Sequence, residues 1–145
     1  MNNELLIKNG RVIDPANGID GKFDVLITNG VITEISQKSQ ALESANQKCD
    51  VIDAAGKLVV PGLIDMHVHF RQPGRHEYKE TIRTGSRAAA KGGFTTVVCE
   101  PNTDPPIDNA TKVKAVLDLA KGMQIINVYT KACITKGIKG KKLHN

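Results

Sequence analysis

The sequence has no apolar run that reaches the length of a membrane span. The longest, Leu58-Val59-Val60-Pro61-Gly62-Leu63-Ile64, is seven residues and is interrupted by a proline and a glycine. A helix that crosses a bilayer needs about 20. Met1-Asn2-Asn3-Glu4 lacks the basic stretch and apolar core of a secretory signal, so the chain is expected in the cytoplasm. Cysteine is scarce too. Cys49, Cys99 and Cys133 are odd in number, far apart and never in a Cys-x-x-Cys pair. That excludes a disulfide framework and a thiolate zinc knot, and suits a reducing compartment. Cys99 and Cys133 lie in apolar runs and are expected as buried small hydrophobes. Acidic residues stop at Asp118. Six lysines follow it, so the last 27 residues hold the whole excess of the +5 net charge and residues 1–118 carry −1. A nucleic-acid surface would want arginine or aromatic company, and this stretch has Tyr129 alone and no arginine. It reads as a solvated face awaiting acidic neighbours.

What is present is a globular composition. With 145 residues, 40% hydrophobic and 24% charged, the chain can bury a real core, but it is too short for a large enzyme barrel. Its two parts differ in period. Residues 1–57 read as short strands of a small β domain. Asn9-Gly10 and Asn29-Gly30 can each take the positive φ angles of a two-residue turn, which predicts two β-hairpins. Residues 36–48 are polar and are expected as a surface excursion, and the strands at 51–53 and 58–60 flank a turn at Gly56. Residues 58–145 then alternate strand and helix. Strands are predicted over 63–70, 94–99 and from 125. Helices are predicted over 78–91, ended by Gly92-Gly93, and after a cap at Asp108, ended by Gly122. The second helix carries the stripe Val113, Val116, Leu117 and Ala120. Such alternation implies parallel β/α packing. A closed (β/α)8 barrel needs eight units and about 250 residues, and this chain supplies about two and a half. The expected fold is therefore α/β, an incomplete barrel preceded by part of a small β-sandwich domain.

The chemistry is concentrated in Leu63-Ile64-Asp65-Met66-His67-Val68-His69-Phe70-Arg71. Alternate side chains of a strand share a face and lie roughly 6.6 Å apart. Asp65, His67, His69 and Arg71 thus point one way, opposite Ile64, Met66, Val68 and Phe70. Two imidazoles so placed can converge on one cation. Asp65 is placed to ligate weakly or to orient a ligand histidine. A bare His-x-His on a strand is more often packing or surface than metal. Four polar groups on one inward face, however, need partners, and that favours a metal. Pro73-Gly74 ends the strand, leaving these groups at the carboxyl end, where β/α barrels keep their active sites. His76 and His144 lack such company and are expected as solvated loop histidines.

The string from Val51-Ile52-Asp53-Ala54 through Val60-Pro61-Gly62-Leu63-Ile64-Asp65-Met66-His67-Val68-His69 resembles the opening of the cyclic amidases of the amidohydrolase superfamily. Phe70-Arg71-Gln72-Pro73-Gly74, Gly92-Gly93-Phe94-Thr95-Thr96 and Pro101-Asn102-Thr103 narrow the resemblance to the dihydroorotase family, over nearly the whole chain. The resemblance implies that His67 and His69 bind zinc, one or two ions in the complete enzyme, and that Arg71 and Asn102 hold a substrate carboxylate. A guanidinium suits that task because it pairs with a planar carboxylate in bidentate fashion. The implied reaction is the reversible cyclisation of N-carbamoyl-L-aspartate to L-dihydroorotate in pyrimidine biosynthesis, with the zinc polarising the ring amide and activating water. Two positions depart from the pattern. Gln72 stands where relatives often carry an acid, and Glu100 where a methionine is expected; both read as lineage variation. The family's bridging carboxylate, further histidines and general-base aspartate belong to later strands, so the chain is expected to be an N-terminal portion, inactive alone. A homo-oligomer when complete and association with aspartate transcarbamoylase are the expected partnerships. The alternatives are another cyclic amidase, of hydantoinase or allantoinase type, completion of the site by a second polypeptide, and a non-catalytic truncated relative that acts as a binding partner.

Overall fold

The first unit, Met1–Pro61, is a mixed sheet organised around one long strand. A computed structural model describes residues 4–37, 49–123 and 125–143 of the chain. Strand β1 (Glu4–Asp14) pairs antiparallel with β2 (Ile19–Thr28), and β2 with β3 (Val31–Ser36). On the other side of β1 lie β4 (Asp50–Asp53) and β5 (Leu58–Val59), both parallel to it. Leu6 and Leu26 are cross-strand neighbours and the buried centre of this unit. Cys49 packs against them.

Only one of the two Asn-Gly pairs makes a hairpin. Asn29 and Gly30 have φ of 55° and 79° and join β2 to β3. The hairpin expected at Asn9-Gly10 is not formed: β1 runs straight through it, with a bulge between Ile7 and Gly10. Asn9 does take a positive φ of 65°, but its neighbours decide the outcome. Its backbone N–H donates to Asp24 Oδ1 at 2.9 Å and its Nδ2 to Asp53 Oδ1 at 2.9 Å. A Cβ at Gly10 would lie 2.5 Å from Val59 Cγ2, so the glycine serves the close approach of β5. The β1–β2 turn falls instead at the short helix Pro15–Asn17, closed by Gly18 in the left-handed region. Of the expected excursion at 36–48, Ser36 is buried in β3 and residues 38–48 lie outside the described residues.

The second unit, Gly62–Asn145, is the expected alternation. Strands β6 (Leu63–Val68), β7 (Phe94–Cys99) and β8 (Asn127–Thr130) form one parallel sheet in that order. Helix α1 (Ile82–Lys91) connects the first pair and α2 (Ala110–Met123) the second. The core consists of Phe70, Ile82, Val97, Cys99, Ile107, Val116, Ala120 and Val128. Burial pushes the Cys99 thiol up to about 12, so it behaves as an inert hydrophobe.

The helix boundaries differ from expectation for reasons of capping. Helix α1 starts at Ile82, not at 78, because Thr81 forms a capping box with Thr84. Asp108 does not cap α2. Asn109 Oδ1 accepts the Lys112 N–H at 2.9 Å, while Asp108 holds Lys112 Nζ at 2.7 Å and the Gly137 N–H at 2.8 Å. Gly122 lies inside α2 rather than ending it. In the expected stripe Val116 and Ala120 are buried, and Leu117 is more than a third exposed. Phe70 sits over Gly85, where a Cβ would come within 2.1 Å of its ring. Among the described residues no helix is long and apolar enough to cross a membrane.

Candidate functional site

The loops that follow β6, β7 and β8 gather at one end of the parallel sheet. They are tied to each other through the backbone: Glu100 N–H donates to Val68 O at 2.8 Å, Lys131 N–H to Cys99 O at 2.9 Å, and Arg75 N–H to Asp104 O at 2.7 Å. This is the carboxyl end of all three strands, so the residues just past each strand share a neighbourhood. His67 and His69 come from the first, Glu100 and Asn102 from the second, Lys131 from the third.

His67 is the penultimate residue of β6 and His69 follows its end. Their Nε2 atoms lie 3.1 Å apart, with the rings edge to face at 5.0 Å between centroids. Two nitrogen ligands of one tetrahedral zinc, each at 2.0–2.1 Å, stand about 3.3 Å apart. The pair therefore has the spacing of two ligands of one ion. Each ring also has an oxygen at its other nitrogen. His69 Nδ1 is 3.1 Å from Asn102 Oδ1, and His67 Nδ1 is 3.5 Å from Glu100 Oε1. Among the described residues no group of three or more His, Cys, Asp or Glu side chains gathers as a metal site.

Asp65 Oδ1 accepts the backbone N–H of His67 at 2.9 Å, fixing the strand where the histidine leaves it. Arg71 is anchored by its own N–H to Glu80 O at 3.0 Å, and its Nη1 lies 3.5 Å from the backbone oxygen of Asn102. The structure thus brings Asp65, His67, His69, Arg71 and Asn102 into one chain of contacts. His76 is not simply solvated. Its Nδ1 is buried with no hydrogen-bond partner among the described residues, and its Nε2 is 3.9 Å from Asp104. His144 lies outside the described residues.

Two residues in this neighbourhood have no role in the sequence reading: Lys131, there one of the solvated lysines, and Glu100, there a lineage variant. Lys131 Nζ pairs with Glu100 Oε1. The hydrogen bond from Lys131 holds the Glu100 carboxyl below the usual carboxylate range. The sequence signal for both is position: each is the first residue beyond a parallel strand, Glu100 after β7 and Lys131 after β8. Gln72 also has a use, since its Oε1 accepts the Ile82 N–H at the start of α1 at 3.2 Å.

Solved structures share the fold of this chain. L-hydantoinase (dihydropyrimidinase) from Arthrobacter aurescens superposes with a TM-score of 0.71 at 28% identity, over 90% of this chain and 28% of that one. D-hydantoinase (dihydropyrimidinase) from a Thermus species gives 0.67 at 31% identity, over 88% and 27%. The chain belongs to the dihydro-orotase-like family, whose model matches residues 56–145. It is 54% identical to a dihydroorotase of Citrifermentans bemidjiense and 48% identical to one of Aquifex aeolicus, over 96% and 97% of this chain. It spans 32% of the length of each of these curated relatives.

Proposed function

We propose that the chain is the N-terminal portion of a cytoplasmic, zinc-dependent dihydroorotase, which interconverts N-carbamoyl-L-aspartate and L-dihydroorotate in pyrimidine biosynthesis. The observation that carries this reading is the 3.1 Å approach of the two Nε2 atoms at the mouth of a parallel sheet. In this reading His67 and His69 hold the ion. When bound, zinc supplies Lewis-acid chemistry, the polarisation of an amide carbonyl and the activation of water.

The chain's own contribution is recognition. Arg71, next to Asn102, presents a cationic fork for the carboxylate that both N-carbamoyl-aspartate and dihydroorotate carry. Asp65 keeps His67 in place through its backbone. Ile64 and Met66 are each more than half exposed on β6, which supports the reading of this sheet as the first units of a (β/α)8 barrel that further strands and helices complete. The mixed sheet around β1 is then part of a small β-sandwich domain. The general base and the remaining metal ligands belong to those further elements, so this portion alone is inactive. A homo-oligomer and an association with aspartate transcarbamoylase belong to the same proposal for the whole enzyme.

The likeness to hydantoinases favours a second reading, a cyclic amidase for substrates without a carboxylate. Arg71→Ala in the full-length protein separates the two. The dihydroorotase reading expects kcat/KM for dihydroorotate to fall by about 100-fold or more, as when a charged hydrogen bond of roughly 3 kcal/mol is lost. An unchanged rate, or a wild type that opens hydantoin and not dihydroorotate, supports the second reading instead.

A further inference from the structure

Glu100 is the feature of this site whose chemistry is least ambiguous. An ionised carboxylate can only accept hydrogen bonds. It faces Nδ1 of His67 at 3.5 Å and is held there by Lys131. That separation is an ion-pair distance rather than a finished hydrogen bond. The opposite arrangement, a bare Nδ1 lone pair against the carboxylate, is repulsive. Glu100 is therefore a selector: it favours the tautomer of His67 that carries its proton on Nδ1 and leaves Nε2 bare.

The second histidine has no such constraint. Its Nδ1 meets Asn102, whose amide can present either oxygen or NH2. As the structure has it, Asn102 Oδ1 lies 3.1 Å from His69 Nδ1, the orientation in which Nδ1 carries the proton and Nε2 is bare. With the amide turned to present its NH2 instead, His69 would donate from Nε2 to the bare Nε2 of His67 across 3.1 Å. Asn102 adapts while Glu100 does not.

We propose that Glu100, fixed by Lys131, is a positioning residue that locks His67 in its metal-ready tautomer before any ion arrives. This deepens the reading given above and rests on it for the identity of the ion. Ligand histidines that donate to a carboxylate are oriented and made more basic by it, and loss of such a partner costs 10–100-fold in metal affinity. The Glu100–Lys131 pair thus extends the ligand set outward by two residues, and the strand ends of β6, β7 and β8 each contribute one part.

The test uses the full-length protein, stripped of metal and labelled with 15N-histidine, at about pH 8, where an ordinary imidazole is neutral. Two-bond 1H–15N spectra report which nitrogen carries the proton. The expected result is the Nδ1–H tautomer for His67 in the wild type and in Glu100→Gln, whose amide oxygen still accepts. Glu100→Leu is expected to shift His67 toward Nε2–H. A wild type already in the Nε2–H form, or a Glu100→Leu spectrum identical to wild type, overturns the proposal. Chelator competition with zinc then gives the second readout, an affinity about 10–100-fold weaker in Glu100→Leu and largely rescued in Glu100→Gln. Unchanged zinc affinity in Glu100→Leu also overturns it. Should Glu100→Leu not fold, Lys131→Met, which leaves the carboxylate in place but unheld, is expected to weaken zinc binding severalfold, and wild-type affinity counts against the proposal. If His67→Ala binds zinc as well as wild type, the metal reading of the site fails, while the tautomer spectra still report on Glu100 separately.

Discussion

His67 and His69 face each other through their Nε2 atoms at 3.1 Å, although they are successive members of one face of an extended segment. Strand geometry alone would hold them roughly 6.6 Å apart along the chain. Both rings therefore lean toward one point just beyond β6. If that point is a metal position, each histidine supplies one ligand of a set that the whole protein completes. His67→Ala and His69→Ala in the full-length protein are each expected to weaken zinc affinity by on the order of 100-fold, a quarter share of the binding free energy of a four-ligand zinc site. Isothermal titration with a competing chelator measures this. Equal affinity in both variants would show that the zinc sits elsewhere.

Gly85 and Phe70 make a prediction about stability that is opposite in sign to helix propensity. Within an exposed helix, alanine is better than glycine by about 1 kcal/mol. Here a Cβ would lie 2.1 Å from the Phe70 ring, and Phe70 is part of the core. Overpacking of this kind costs about 1–3 kcal/mol, so Gly85→Ala is expected to be destabilising in a urea titration. A midpoint equal to or above wild type would mean that Phe70 is free to move away. Because Phe70 lies next to His69, the same variant is expected to weaken metal binding.

Asp108 gives the pH dependence. The hydrogen bond from Lys112, and then that from the Gly137 N–H, hold its carboxyl below the usual range. A carboxylate with a depressed folded pKa stabilises the protein above its unfolded value, about 3.9, and that contribution disappears as pH falls through the folded value. Asp108→Asn is therefore expected to lower stability at neutral pH and to flatten the loss of stability below about pH 4. Thermal melts across that window check it; parallel curves for the two proteins would assign the acid sensitivity to other groups.

The pattern of strands and helices in the second unit was legible because each element is periodic and punctuated. Phe94–Cys99 has the same bounds in sequence and structure. The errors cluster where two local signals compete and a distant residue decides. Asn9-Gly10 and Asn29-Gly30 are the same dipeptide. The second turns the chain, while the first is drawn into a bulge by Asp24, Asp53 and Val59, none of which a local reading can place. Asp108 and Asn109 are both good caps. Asn109 takes the cap because Asp108 is engaged by Lys112 and Gly137.

The candidate site shows the same division. Asp65, His67, His69 and Arg71 sit in one string and declare themselves by spacing. Glu100 and Lys131 lie 31 residues apart, and only the parallel register of β7 with β8, which pairs Cys99 with Thr130, puts the residue after each side by side. Asn102 was expected at a substrate carboxylate, and in the structure its side chain meets His69. The two are compatible if the amide moves when substrate binds.

The most direct test of the account is the ring opening of L-dihydroorotate by the full-length protein before and after removal of metal. The account predicts activity that is lost on chelation, restored by zinc, and absent in the His67→Ala, His69→Ala double variant with or without added zinc. Undiminished turnover in the metal-free protein, or full activity in the double variant, would contradict it.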